Sequence, residues 1–328
     1  VPGLRIGTLS KGCGARSGGQ CDWQSGRPHR GVRMDDPRHR PVPLVSFPGG
    51  EHQVKLVIQI CCLNEEETLP ITLKELPKSL PGIDEIEVLI VDDGSTDRTI
   101  EVANEFGVNR IVRFHQNKGL ATAFATGLET SLTMGADIIV HTDADNQYKA
   151  SCIPGLIAPV LNREADIVIG ARPIETIRHF SRTKKLLQRL GSWVVRQLSG
   201  TVVEDATSGF RAYSREAALR LTVLSDFSYT LETIIEAGHR GLTVEQVPIE
   251  TNDKLRESRL FSSIPRYVSK SMLTMLRAYA MYKPLRTFLF LATLTFVPGF
   301  VLLVRFFYFH FTTDGPAGHV QSLIVSAI

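Results

Sequence analysis

What most constrains this chain is an alternation across residues 51–182: short, β-branched apolar runs take turns with helix-like stretches. Lys55–Leu63 (KLVIQICCL), Ile86–Val91 (IEVLIV), Arg110–Phe114, Asp137–Thr142 (DIIVHT) and Asp166–Ala171 (DIVIGA) read as strands. Runs this continuously apolar mark strands buried on both faces. Helical patterns occupy Glu66–Leu76, Thr96–Phe106 and Gly119–Met134, and Pro154 opens another. Ser95 or Thr96 is the expected N-cap of the second helix, with Gly107 and Gly135 as stops. Strands that alternate with helices fold as an α/β layer structure, a mostly parallel sheet covered by helices. Beyond this block, Lys184–Ser199 is amphipathic and Arg215–Leu224 is helical. Leu231–Ala237 is a helix expected to stop at Gly238, and Leu242–Ile249 is a last strand.

The flanks are of a different kind. Residues 1–50 hold ten Gly and six Pro and carry a net charge of +5, against −2 for the remainder. Such a segment buries too little apolar surface to offset ordering entropy and is expected to be disordered. It has no signal-peptide apolar region, and Met34 is a candidate natural start. At the other end, no Asp or Glu occurs between Glu257 and Asp314. Pro265–Lys283 is expected to form a basic, aromatic juxtamembrane helix, and Phe288–Val304 is free of charge for 17 residues, close to a bilayer span with its neighbours. The aromatic run 306–311 resembles an interfacial belt, and Val320–Ile328 opens a second apolar segment, too short to span unless it continues. The domains expected are therefore 1–50, 51–262, 263–284 and 285–328, with the Lys/Arg cluster before residue 287 keeping the body on the cytoplasmic side of the cell membrane.

Overall charge is only +3, so no basic field points to nucleic acid. The five cysteines, Cys13, Cys21, Cys61, Cys62 and Cys152, show no zinc spacing and read as buried or free thiols. No G-x-G-x-x-G follows the first strand and no P-loop motif occurs, so neither a Rossmann dehydrogenase nor a P-loop NTPase is supported. Three polar clusters do fall at strand C-terminal ends, where open parallel sheets bind ligands. They are Leu63-Asn64-Glu65-Glu66-Glu67, Asp92-Asp93-Gly94-Ser95-Thr96-Asp97 and Asp143-Ala144-Asp145-Asn146-Gln147. Each alone is an ordinary cap or turn, but three at equivalent ends converge on one crevice. Asp143, Asp145 and Gln147 end in hard oxygens, which suit Mg²⁺ or Mn²⁺ and not zinc or copper.

These clusters, with Asn117-Lys118-Gly119, Gly170-Ala171-Arg172, Asp205-Ala206-Thr207-Ser208-Gly209-Phe210-Arg211 and Glu245-Gln246-Val247-Pro248-Ile249, give the chain a specific resemblance. Over residues 54–260 it resembles the GT-A-fold, family 2 glycosyltransferases, in particular the dolichyl-phosphate mannosyltransferase and polyprenyl-phosphate glycosyltransferase group. The resemblance implies a Rossmann-like GT-A domain followed by a juxtamembrane helix and transmembrane helices. It implies an inverting transfer of sugar from a GDP- or UDP-linked donor to a polyprenyl phosphate. Asn64, Glu65, Asp92, Asp93, Lys118, Asp143 and Arg172 would then bind the nucleotide sugar, and Asp143, Asp145 and Gln147 the metal. Asp145, Arg211, Arg256 and Arg259 would act at the reacting phosphates, and Lys184, Arg189, Ser258 and Arg259 at the acceptor phosphate. Arg256 stands where the family has Gly and Arg259 where it has Lys. The partners implied are the donor, the lipid acceptor and membrane lipids, with a homo-oligomer left open. Two other readings remain: transfer to a saccharide or glycolipid hydroxyl, and a catalytically silent, membrane-tethered nucleotide-sugar-binding module. No Q-x-x-R-W tract of processive synthases occurs.

Overall fold

The computed structural model describes residues 53–173, 182–223, 229–253 and 283–312, with isolated positions between 269 and 281 and at 324. The expected disordered segment 1–50, most of the juxtamembrane helix and the second apolar segment lie outside the described residues.

The strands are β1 (Lys55–Cys62), β2 (Glu85–Asp92), β3 (Arg110–Arg113), β4 (Ile138–Asp143), β5 (Ile167–Ala171), β6 (Arg211–Ser214) and β7 (Val244–Pro248). They form one sheet in the order β3-β2-β1-β4-β6-β5-β7. All neighbours pair in parallel except β6, which runs antiparallel between β4 and β5. The helices are α1 (Leu69–Glu75), α2 (Thr99–Glu105), α3 (Leu120–Thr133), α4 (Ile153–Leu161), α5 (Arg182–Ser199), α6 (Arg215–Arg220), α7 (Tyr229–Arg240) and α8 (Pro284–Thr312). From Leu56 to Cys62 every residue of β1 is buried, and successive side chains point to opposite faces, so the sheet centre is covered on both sides. Ile58, Ile60 and Ile139 are fully shielded, each contributing about 1.5–3 kcal/mol of apolar burial.

Several local expectations change. The strand Arg211–Ser214 was not anticipated, because four residues that begin with a charge carry no apolar period. Its backbone completes the ladder between β4 and β5. Helix α2 starts three residues later than the sequence suggests, and its N-terminus has no side-chain cap. Ser95 is used elsewhere: its hydroxyl accepts from the Asn64 amide. Helix α7 runs through Gly238 to Arg240, so that glycine is not a stop. It is there for proximity. A Cβ on Gly238 would meet the Ser199 carbonyl oxygen at the end of α5 far inside contact distance. Cys61, Cys62 and Cys152 are buried thiols outside any disulfide, as expected, and burial pushes the Cys61 and Cys62 thiols up.

Among the described residues one helix is long and apolar enough to cross a membrane: Pro284–Tyr308, 25 residues with a mean hydropathy of 2.2 and none of that stretch buried. It begins next to Lys283, whose charge helps, after burial, to hold His239 at the end of α7 below its ordinary value.

Because the α5–α7 crossing leaves no room for a methyl group, Gly238→Ala is expected to destabilise the body. Overpacking of this kind costs about 1–3 kcal/mol. Thermal unfolding of the detergent-solubilised chain should show a lowered midpoint, while Gly191→Ala on α5, where a Cβ meets nothing within 4 Å, serves as an uncrowded comparison.

Candidate functional site

The three polar clusters do meet, because the strands that carry them share one register. Cys62 pairs with Asp92, and Cys61 pairs with Asp143. Asp93 continues the ladder by donating its amide to the Cys62 carbonyl at 2.9 Å. The loops after β1, β2 and β4 therefore leave the sheet side by side.

The first two loops are stitched together. Asn64, in the left-handed region at φ 56°, accepts from the Thr96 amide at 2.8 Å, and its own amide donates to the Ser95 hydroxyl at 2.8 Å. Asn tolerates that conformation better than most residues. The Glu65 amide donates to the Thr99 hydroxyl at 2.8 Å, and the buried Glu65 carboxylate accepts from Thr68 at 2.6 Å. Asp93 draws in a further loop: its carboxylate accepts from the Lys118 amide at 2.7 Å and the Gly119 amide at 3.0 Å. Burial raises the Asp93 pKa despite those two amides. Lys118 itself is exposed, with its ammonium 4.7 Å from the Phe114 ring centroid.

The loop after β4 carries Asp143 and Asp145, both half-buried on either side of buried Ala144. A Cβ on Gly209 would sit 3.1 Å from Asp143 Oδ2 and 3.0 Å from the Tyr229 hydroxyl, so that backbone forms one wall beside the carboxylate. Beneath it His141 is fully buried, edge-on to both Phe124 and Tyr229 at 5.1 Å. Burial and the nearby Arg211 charge push its pKa down to about 3, so the imidazole is neutral. Among the described residues no group of three or more His, Cys, Asp or Glu gathers in a metal-binding arrangement. The donor set that the resemblance implies, Asp143, Asp145 and Gln147, would offer two carboxylates and an amide oxygen. That fits a magnesium-like ion, which keeps most of its shell for water and substrate phosphates, and does not fit a closed protein cage.

Other expected site residues are placed differently. Arg211 is fully buried and does not face the crevice. Its nitrogens donate to the carbonyls of Ser208, Ala206 and Thr230 and to the Thr233 hydroxyl, at 2.8–2.9 Å. It braces β6 against α7, so the expected phosphate contact is corrected to a structural role. Asp92 is likewise fully buried and occupied: it accepts from the Ser95 amide and pairs with Arg113 at 3.3 Å. It shapes the loop from below and is not positioned for nucleotide contact. Arg172 pairs with Asp205, with hydrogen bonds of 2.7 and 3.0 Å, and donates to the Thr207 hydroxyl at 2.8 Å. Arg189 is exposed on α5; the side chain of Lys184 and all of Arg256, Ser258 and Arg259 lie outside the described residues.

Two features escaped the sequence. The Arg172–Asp205 pair joins residues 33 apart that only the fold brings together. Residues 250–252 lie along the turn after Asp145, with Thr251 bridged to Tyr148. No local pattern signals that contact.

Residues 57–222 match the family described as Glycosyl transferase family 2. The UDP-N-acetylglucosamine–dolichyl-phosphate N-acetylglucosaminyltransferase of Methanococcus voltae is 31% identical over 222 residues, spanning 60% of this chain and 86% of that protein. The polyprenol monophosphomannose synthase of Mycolicibacterium smegmatis is 27% identical over 211 residues, spanning 61% and 78% respectively. Glucosyl-3-phosphoglycerate synthase from Mycobacterium tuberculosis, solved with Mn²⁺, uridine diphosphate and phosphoglyceric acid, shares the fold. Its TM-score is 0.56 at 22% identity, over 69% of this chain and 78% of that one.

The Arg172–Asp205 pair makes an acid-stability prediction. Burial pushes the Asp205 carboxyl up, but the charge and hydrogen bonds of Arg172 outweigh it and hold the pKa below its ordinary value. A depressed folded-state pKa contributes stability that is present above the unfolded value, about 3.9, and is lost as pH falls through the folded value. Asp205→Asn should destabilise the chain near neutral pH by about 3–5 kcal/mol, the usual cost of breaking a buried pair. The deficit should shrink as the pH drops below about 4, measured by urea unfolding across a pH series.

Proposed function

The chain belongs to glycosyl transferase family 2, and from that premise we propose that it is an integral membrane glycosyltransferase that moves a sugar from a nucleotide donor to a polyprenyl phosphate. The observation that carries this reading is the convergence of the loops after β1, β2 and β4 on one edge of the sheet. Asn64, Glu65 and Asp93 line the part of that edge where a nucleoside would be held. Asp143, Asp145 and Gln147 would hold a divalent cation, Mg²⁺ or Mn²⁺, whose charge would offset that of the departing diphosphate.

The two dolichyl- and polyprenol-linked relatives carry different sugars by name, so the acceptor class has more support than the donor sugar. A phosphate acceptor also suits the chemistry available. A phosphate monoester has a second pKa of about 6 and is largely dianionic at neutral pH, so it attacks without a strong base. Asp205 is a poor base, since Arg172 occupies it and lowers its pKa. A sugar hydroxyl would need such a base, which weighs against the hydroxyl-acceptor reading. The exposed apolar helix α8 would fix the body at the bilayer. The basic residues Arg277, Lys283 and Arg286 around its start favour a cytoplasmic catalytic face. Lys184, Arg189, Ser258 and Arg259 would meet the lipid phosphate near the headgroup plane, with Arg256 beside them.

Two outcomes test the reading. Asp145→Asn should retain the fold and lose transfer of labelled sugar to polyprenyl phosphate by about 100-fold or more, the scale on which a group facing developing charge acts. Excess EDTA should do the same to the wild type; full activity in either case refutes the metal role. Arg259→Ala should raise KM for polyprenyl phosphate, or lower kcat, by roughly tenfold to a hundredfold, as loss of a charge-assisted hydrogen bond implies. Nucleotide affinity should change less, which separate titrations of donor and acceptor would reveal.

A further inference from the structure

The turn that follows Asp145 is held from outside by Asn252, through both its side chain and its backbone amide. Asn146 sits in the left-handed region at φ 53° and is buried. Its carbonyl accepts from Asn252 Nδ2 at 3.0 Å, and the Gln147 carbonyl accepts from the Asn252 backbone amide at 2.9 Å. The peptide joining Asn146 to Gln147 is a trans plane, so its carbonyl and its N–H point in opposite directions. With the carbonyl drawn toward Asn252, the N–H faces the other way and donates to Asp145 Oδ1 at 3.1 Å. The orientation of the Asn252 amide follows from chemistry: Nδ2 faces two acceptors, the Asn146 carbonyl and, at 3.5 Å, Glu75 Oε2.

We propose that Asn252 is a positioning residue for the Asp145 carboxylate, acting through the Asn146–Gln147 peptide plane, and so tunes the affinity of the crevice for a divalent cation. This rests on the assignment of Asp145 as a metal ligand. Neighbouring contacts hold the flanks of the turn and leave this plane to Asn252. Thr72 donates to the Ala144 carbonyl at 3.0 Å on one side. On the other, Tyr148 accepts from the Gly209 amide at 3.0 Å and stacks on Phe210. The Asn146 side chain is tied separately, to Glu75 Oε1 at 3.1 Å. Lys149 and Glu250, 2.6 Å apart, and the Tyr148–Thr251 bridge bring Asn252 to the turn without touching the plane.

The test uses the detergent-solubilised full chain and Mn²⁺ with GDP or UDP present, with free Mn²⁺ followed by its paramagnetic resonance signal. Asn252→Ala and Asn252→Leu both remove the Nδ2 donor, and Leu preserves the size without adding a charge beside Glu75. Each should raise the Mn²⁺ dissociation constant about fivefold, the effect of one typical net hydrogen bond. KM for the donor should rise while KM for the acceptor stays, and the unfolding temperature without metal should stay near the wild-type value. If Asn252→Leu binds Mn²⁺ as the wild type does, or both variants lose thermal stability with no change in Mn²⁺ affinity, Asn252 is only a loop staple and the proposal is overturned. If wild type and Asp145→Asn bind Mn²⁺ alike, the metal assignment itself is wrong and the proposal falls with it.

Discussion

The register of β1 against its two neighbours underlies the rest of the molecule. β1 pairs with β2 on one side and β4 on the other, in parallel, and its final residues face Asp92 and Asp143. Parallel ladders run all strand ends the same way, so the polar loops emerge together at one edge. A shift of one residue would turn each buried side chain to the opposite face. Such a slip would place Gln59, whose amide reaches the Phe124 carbonyl at 3.0 Å, where an apolar side chain now packs. The apolar pattern that stabilises the core therefore also aligns the crevice.

Around that edge, charged groups fall into two sets with different work. Asp92, Arg211, Asp205 and Arg172 are buried or nearly so, and each is matched by several partners. A buried charge is tolerated only when its hydrogen bonds are made, and here those bonds shape the loops. Asp143 and Asp145 keep partial exposure at the crevice. Asp93 lies between the two sets, buried but holding the amides of the Lys118 loop.

The antiparallel strand β6 has a consequence beyond the ladder. It brings the 205–210 segment across the sheet, so that Gly209 flanks Asp143 and Asp205 reaches Arg172 at the end of β5. Arg211 locks this arrangement from beneath by taking carbonyls from both that segment and α7. A guanidinium with its fork spread over several acceptors is well suited to such bracing. The same property makes an arginine in a motif easy to read as a phosphate ligand.

Local pattern was enough to establish the helix-covered, mostly parallel sheet, the polar clusters at its strand ends and the apolar C-terminal helix. Those features depend on periodicity and composition, which act over a few residues: β1 is apolar because both its faces are covered, and α8 is acid-free along its length. The sequence also singled out Asp143, Asp145 and Asp93, since oxygen-bearing side chains at strand ends have a limited set of uses. Tertiary structure alone decided what competes for each group. Asp92 and Asp93 are adjacent in sequence, yet one is enclosed under the loop and the other ties a second loop, because successive residues leaving a strand face opposite ways. Arg211 became a brace, Gly238 a point of helix contact and Asn252 a partner of a turn about a hundred residues earlier. Each outcome depends on which distant backbone comes within about 3 Å, the reach of a hydrogen bond, and no local pattern encodes that distance.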